Sequence, residues 1–238
     1  MAFHPRSLDD DPQLLEQSYR LRYQVYCVER QFLPASDYPD QREVDAFDQQ
    51  SIHVGAIDDA GEVAATARIV KPGGAGLPLF RYCTLFPQVT AFDVAGLTTV
   101  EVSRVSISRQ YARRPGDVRL GGVVVPGEPG APPAGGHERR RRSGEPFLTL
   151  LKAVIAAART VGATHLVFAI EHALLRWLAH YGFPCRLSGP EAEYYGRVAP
   201  YIVSMAELDE VILGGQFTAL ADFPVGLPRL PAATPAQS

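Results

Sequence analysis

Leu15, Tyr19, Arg22 and Tyr26 recur at helical spacing, so residues 11–31 are expected to form one helix. Asp11 stands where a cap is needed, and Pro12 where a first-turn proline is tolerated. Leu14, Leu21, Val25 and Val28 widen its apolar surface, while Arg22 is a charge set inside the stripe. Residues 33–50 are expected to form an acidic loop. Two strands come next, Ile52–Asp58 and Glu62–Val70, joined at Asp59-Ala60-Gly61. In the second, Val63, Ala65, Ala67 and Ile69 share a face, and Thr66 and Arg68 lie on the other.

The strongest strand pattern is Thr99–Ser108. Val100 and Val102 keep one phase of alternation, and Val105 and Ile107 keep the other. A one-residue slip at Ser103-Arg104 is what a β-bulge produces, and it turns Glu101, Ser103 and Arg104 toward a common space. Before this strand, Leu77–Phe80 reads as a short extended piece and 86–97 as holding a short helix. After it, residues 115–136 hold 12 Gly or Pro in 22 positions, which marks a mobile loop rather than a core element. The pattern then predicts a helix over 146–161, a buried strand over 164–170 and a helix over 173–181 stopped by Gly182. Two closing strands, 183–187 and 201–206, and a last helix at 208–213 complete it. This is a mixed α/β order, a meander that ends in a crossover, within a single domain over 1–222. A Gly/Pro/Arg-rich insertion occupies 113–145, and a flexible proline-rich tail occupies 223–238.

Composition narrows the function. A net charge of −3 excludes a generally basic nucleic-acid binder, and no apolar run is long enough for a membrane span. The N-terminus has no apolar signal region, and Cys27, Cys83 and Cys185 are too scattered for a disulfide framework. The expected compartment is a reducing cytoplasm. The histidines show no metal-binding spacing, so no metal is expected. Cys27 reads as a small core residue.

Arg22, Arg68 and Arg104 accompany Glu43, Asp45, Asp48 and Glu101 on neighbouring elements. Each alone is explained by a snorkelling stem or a solvated loop. Buried together they must pair, and the pairing makes a polar pocket suited to a small zwitterion.

Several segments carry a resemblance. Arg22-Tyr23-Gln24-Val25-Tyr26, then Glu43-x-Asp45-x-Phe47-Asp48, Arg68 and Glu101-Val102-Ser103-Arg104 resemble the signature of acyl-homoserine-lactone synthases. Those belong with the wider GNAT N-acyltransferases and the N-acyl amino acid synthases. The words YRLRYQVYCVERQFL, DYPDQREVDAFD, EVSRVSISRQYARR, HYGF and YYGRVAPY are similar to the PEP-CTERM/exosortase system-associated acyltransferases. Phe32 stands near the place where the lactone synthases carry a tryptophan, and no glycine-rich pyrophosphate loop precedes Pro146.

The resemblance implies a GNAT-like α/β fold, a mixed central sheet flanked by helices. It implies an N-acyltransferase in which an amine attacks a thioester directly. Glu101, Ser103 and Val105 are the implied catalytic set: Glu101 is the general base, and a backbone N–H near Val105 the oxyanion contact. Arg22, Tyr26, Glu43, Asp45, Asp48, Arg68 and Arg104 are the implied acceptor-binding set. No permanently bound cofactor is implied; acyl carrier protein or acyl-CoA serves as co-substrate, and a small amine or amino acid as acceptor. S-adenosylmethionine as acceptor, and a silent module that binds without turnover, are the alternatives. From Arg104 to Arg142 nine Arg face three acids, a strip suited to an acidic partner such as acyl carrier protein. Arg109, Arg113, Arg114, Arg139 and Arg140 are its candidate contacts. From Ala112 to Arg142 no aromatic residue interleaves the strip for base stacking, so nucleic acid is not expected.

Overall fold

Most of the predicted strands pair into one mixed sheet. The structure, a computed structural model, describes residues 2–92, 98–111, 118–120, 123–125, 145–180 and 182–215. The strands are β1 (Phe3–Ser7), β2 (Ser51–Asp58), β3 (Val63–Val70), β4 (Thr99–Ile107), β5 (Val118–Leu120), β6 (Val123–Val125), β7 (His165–Ile170), β8 (Arg186–Leu187), β9 (Ala192–Glu193) and β10 (Arg197–Ser204). The helices are α1 (Pro12–Tyr23), α2 (Leu79–Tyr82), α3 (Pro87–Phe92), α4 (Glu145–Thr160), α5 (His172–His180) and α6 (Met205–Leu213). The sheet runs β1-β2-β3-β4-β7-β10-β8, with β9 also on β10. Neighbours are antiparallel except β4 and β7, so the expected meander and crossover are both present.

Helix α4 lays Leu150, Ala153, Val154 and Ala157 on the face of β2 and β3 formed by Val54, Ala56, Ala65, Ala67 and Ile69. Burying each large side chain in this layer contributes about 1.5–3 kcal/mol. Helix α1 covers the opposite face. Asp11 caps it as expected, its Oδ1 accepting from the backbone N–H of Gln13 and Leu14 at 3.0 and 3.2 Å. Strand β3 is therefore buried along its whole length, and Arg68 within it is fully enclosed.

Several expectations change. The single helix over 11–31 instead ends at Tyr23 and continues as a π-helix, Gln24–Glu29, closed by the N–H of Arg30 donating to the carbonyl of Val25 at 2.9 Å. The wider turn shifts the residues after it relative to an α-helical phase, which spacing alone does not reveal. Phe3–Ser7 is an additional edge strand whose backbone pairs with β2 from Asp58 to Val54. Leu77–Phe80 is not extended: Leu79–Tyr82 forms a short helix. Of 183–187 only Arg186–Leu187 is strand. The expected mobile loop over 113–145 contains the small β5–β6 pair; the rest of it as far as 144, and the tail 223–238, lie outside the described residues.

Strands β4 and β7 separate early, and that separation opens the sheet. They pair through only three positions, ending at Glu101 and Val167. Beyond that point the two strands no longer pair. On its other side β4 has a register shift against β3 between Thr66 and Arg68, and Arg104 takes a φ of 54°. This is the bulge expected from the slip in alternation.

Candidate active site

The bulge gathers the buried charges. Arg22 donates from Nε to Glu43 Oε2 at 2.6 Å, and from its two terminal nitrogens to both oxygens of Asp48 at 2.7 and 3.1 Å. Arg104 donates from Nε to Glu43 Oε1 and from Nη2 to Asp45 Oδ2, both at 3.0 Å. Arg68 donates from Nη1 to Asp45 Oδ1 at 2.5 Å and from Nε to Ser103 Oγ at 3.3 Å. Glu43 and Arg68 are fully buried, and Arg22 and Arg104 nearly so. Opposite charges thus pair with one another, as burial requires, and among the described residues Arg68 Nη2 alone of this network is buried without a hydrogen-bond partner. Burial alone would raise Asp45, yet Arg68 and then Arg104 hold it below the usual carboxylate range. Asp48 is held well below it by His53 and Arg22, against burial.

His53 was not singled out from sequence. Its Nδ1 lies 2.7 Å from Asp9 and its Nε2 2.9 Å from Asp48. Both partners are carboxylates, so both ring nitrogens donate. Burial pushes the imidazole down, but the bonds to Asp48 and Asp9 raise it overall.

Glu101 stands apart from this network, contrary to the expected seven-residue cluster. Its Oε2 accepts from the backbone N–H of Leu79 at 2.6 Å, and among the described residues no arginine bonds to it. Burial pushes it up to about 7, against the Leu79 N–H and the fields of Arg68 and Arg104. A carboxyl poised there exchanges a proton near neutrality.

Beside Glu101 a cleft encloses about 1090 Å³, part of it open to solvent. Its inner walls are apolar: Val102 and Val105 of β4, Leu150 and Val154 of α4, Phe168 of β7 and Leu174 of α5. Its polar lining is Glu101, Ser103, Arg104 and Glu171, with the rings of Tyr26, Phe32, Tyr194 and Tyr195. The Arg104 guanidinium lies 4.7 Å from the Tyr195 ring centre and 5.2 Å from that of Tyr26. Tyr195, at a φ of 53°, also accepts from Arg104 Nη2 through its hydroxyl oxygen at 3.3 Å.

Of the expected catalytic set, Glu101, Ser103 and Val105 all line the cleft. Of the expected acceptor-binding set only Tyr26 and Arg104 do; Arg22, Glu43, Asp45, Asp48 and Arg68 lie behind the wall and hold one another. Arg109 reaches Glu29 at 2.6 Å, and Arg113, Arg114, Arg139 and Arg140 lie outside the described residues. Glu171, Tyr194, Tyr195 and Arg30 were missed, because the parts of the chain that carry them meet only through the fold. Cys27 is buried and its thiol is pushed up to about 11 by burial, a state unsuited to nucleophilic attack at neutral pH. Among the described residues no cluster of His, Cys, Asp and Glu is arranged to hold a metal ion, and no helix is long and apolar enough to cross a membrane.

Residues 21–121 match the acetyltransferase (GNAT) domain family. No curated protein matches the chain. Solved structures similar to it include BjaI, a CoA-dependent acyl-homoserine lactone synthase determined with SAM and isopentyl-CoA: TM-score 0.60, 19% identity, over 93% of this chain and 88% of that one. FeeM, an N-acyl amino acid synthase from uncultured soil microbes, gives a TM-score of 0.54 at 15% identity over 90% of this chain and 97% of its own. The AHL synthase LasI gives 0.52 at 18% identity, over 85% of this chain and 88% of its own. The shared feature is the GNAT-like α/β fold, a mixed sheet flanked by helices.

Proposed function

We propose that this protein is a GNAT N-acyltransferase that moves a fatty acyl group from the thioester of an acyl carrier protein, or of coenzyme A, to the amine of a small amino-acid-like acceptor. The observation that carries this reading is Glu101. It sits where β4 and β7 part, in the lining of a largely apolar cleft, with one oxygen held by Leu79 and a proton affinity near neutrality.

The fatty chain occupies the apolar walls, and the thioester carbonyl lies at the bulge. Glu101 accepts a proton from the acceptor's ammonium. The freed nitrogen attacks the carbonyl carbon; a C–N bond forms, the C–S bond breaks, and the thiol leaves with a proton. Beyond Glu101, among the described residues, the β7 side of β4 has no strand paired to it. This leaves room for a main-chain N–H near Val105 to meet the oxyanion. Ser103 faces the same space and fixes the Arg68 stem through its Oγ. The buried ion-pair network keeps the bulge in one geometry, which direct attack requires.

Acyl carrier protein is the favoured donor because no glycine-rich pyrophosphate loop precedes Pro146 and the strip from Arg104 to Arg142 is basic. Binding of loaded acyl carrier protein weakens as salt rises; affinity independent of ionic strength rejects that docking.

The deciding experiment offers the protein acyl carrier protein and coenzyme A thioesters with a panel of amino acids and S-adenosylmethionine, and monitors products by mass spectrometry. An N-acyl product with free thiol supports the reading, and methylthioadenosine release identifies a lactone synthase instead. Binding without thiol release from any thioester rejects catalysis.

A further inference from the structure

The acceptor reading needs a cation for the carboxylate, and the arginines behind the wall do not supply one. Every nitrogen of Arg22 is spent on Glu43 and Asp48. Arg68 is fully enclosed. Arg104 lines the cleft, but its Nε and Nη2 are spent on Glu43, Asp45 and Tyr195, which leaves only Nη1. Arg30 differs. It closes the π-helix, and its guanidinium lies 5.1 Å from the centre of the Phe32 ring, a wall of the cleft. Nη2 donates to Glu171 Oε1 at 2.8 Å, and Glu171 also lines the cleft. The two side chains keep 27% and 29% of their surface open, so the pair is accessible beside the cleft that Phe32 and Glu171 line. Among the described residues Nη1 of Arg30 has no hydrogen-bond acceptor, and its Nε is buried without one.

The geometry points to the Arg30–Glu171 pair as the reader of a zwitterionic acceptor: the acceptor carboxylate meets the free edge of the Arg30 guanidinium, and its ammonium lies against Glu171. This rests on the N-acyltransferase reading and narrows it to acceptors that carry a carboxylate. A guanidinium suits the task because its fork pairs with two carboxylate oxygens while Nη2 keeps its own partner. An ion pair laid along the mouth presents a positive and a negative end side by side. A zwitterion reverses that order and is bound by both. Phe32 and Glu171 both contact the guanidinium, so little ordering remains on binding. Arg30 and Glu171 bind; Glu101 takes the proton.

The test compares phenylalanine with phenethylamine, which lacks only the carboxylate, and leucine with isopentylamine, using a loaded acyl carrier protein as donor. The unaltered protein is expected to prefer the amino acid in each pair. Arg30→Gln is expected to lower that preference in kcat/KM about tenfold or more, the loss of a charged hydrogen bond. Arg30→Lys is expected to keep most of it. Glu171→Gln is expected to lower kcat/KM for both members, since both carry the ammonium, and for the amino acid further, since Arg30 loses its partner. Thermal unfolding of each variant verifies the fold. An unchanged preference in Arg30→Gln, or an equal loss on acid and amine, overturns the proposal while acyl transfer itself stands. Absence of transfer to every acceptor by the unaltered protein overturns the reading beneath it as well.

Discussion

One carboxylate, Glu43, joins the bulge of β4 to helix α1: Arg104 Nε donates to its Oε1 at 3.0 Å, and Arg22 Nε to its Oε2 at 2.6 Å. Glu43 is fully buried, so neither arginine has solvent as a substitute. Glu43→Gln removes the charge and leaves two guanidinium groups facing an amide. Breaking a buried pair of this kind costs about 3–5 kcal/mol. Denaturant unfolding is expected to show a loss of that size, with m unchanged. A variant as stable as the parent means the network is not what holds the bulge.

Glu101 makes a different prediction, because among the described residues no cation is bonded to it. As the proton acceptor, it gives kcat/KM an ascending limb with a midpoint at about 7. Glu101→Gln is expected to lower turnover roughly 10²–10⁴-fold and to abolish that limb. Stability moves the other way. A carboxyl raised above its ordinary 4.5 favours the folded state at low pH, and that advantage is lost as pH climbs from 4.5 toward 7. The glutamine variant therefore unfolds no more easily than the parent above neutrality. An unaltered pH–rate profile assigns the base elsewhere.

His53 governs stability at alkaline pH. Its proton affinity is raised by Asp48 and Asp9 despite burial, so its contribution is complete below the ordinary 6.5 and disappears as pH rises through the higher folded value. Asp48 carries the opposite sign: held below 3.8, it stabilises above that pH and loses its contribution as acid protonates it. Unfolding midpoints measured across pH are expected to fall on both sides of a plateau. His53→Gln lowers the plateau and removes the alkaline fall, whereas the acid fall persists. An alkaline fall that survives in His53→Gln traces to another group.

How much of this is legible in the sequence differs by residue. The Ser103-Arg104 slip is visible because alternation is a local property, and the bulge sits there. The charged residues that build the network are visible because charges on apolar faces are improbable unless paired. Their placement behind the cleft wall is not, since spacing tells which residues meet and not which side faces the ligand. The π-helix is invisible for a similar reason: one extra residue in a turn leaves composition unaltered. Leu77–Phe80 misleads because its helix is set by tertiary contacts, with Leu77 and Leu79 buried and the Leu79 N–H spent on Glu101. Phe3–Ser7 has three exposed residues out of five, so as an edge strand it offers no apolar alternation to read. Glu171 and Arg30 are 141 positions apart, and nothing local couples them.

Gly189 links the far edge of the sheet to the Glu101 site. A Cβ there would meet the carbonyl oxygen of Thr84 at 2.0 Å and Pro200 Cγ at 2.9 Å, and the first is backbone that must move. Next to it the N–H of Phe86 donates to the carbonyl of Ser188 at 2.8 Å. The segment that would be displaced, 83–86, directly succeeds α2, whose first residue gives its N–H to Glu101. Gly189→Ala is expected to cost about 1–3 kcal/mol or more through overpacking. It should also pull Leu79 from Glu101. Losing that donor raises the proton affinity of Glu101 further, so the ascending limb of kcat/KM moves to higher pH. Stability lost with the limb unmoved would mean that α2 is anchored independently of the 84–189 contact and keeps the Leu79 N–H on Glu101.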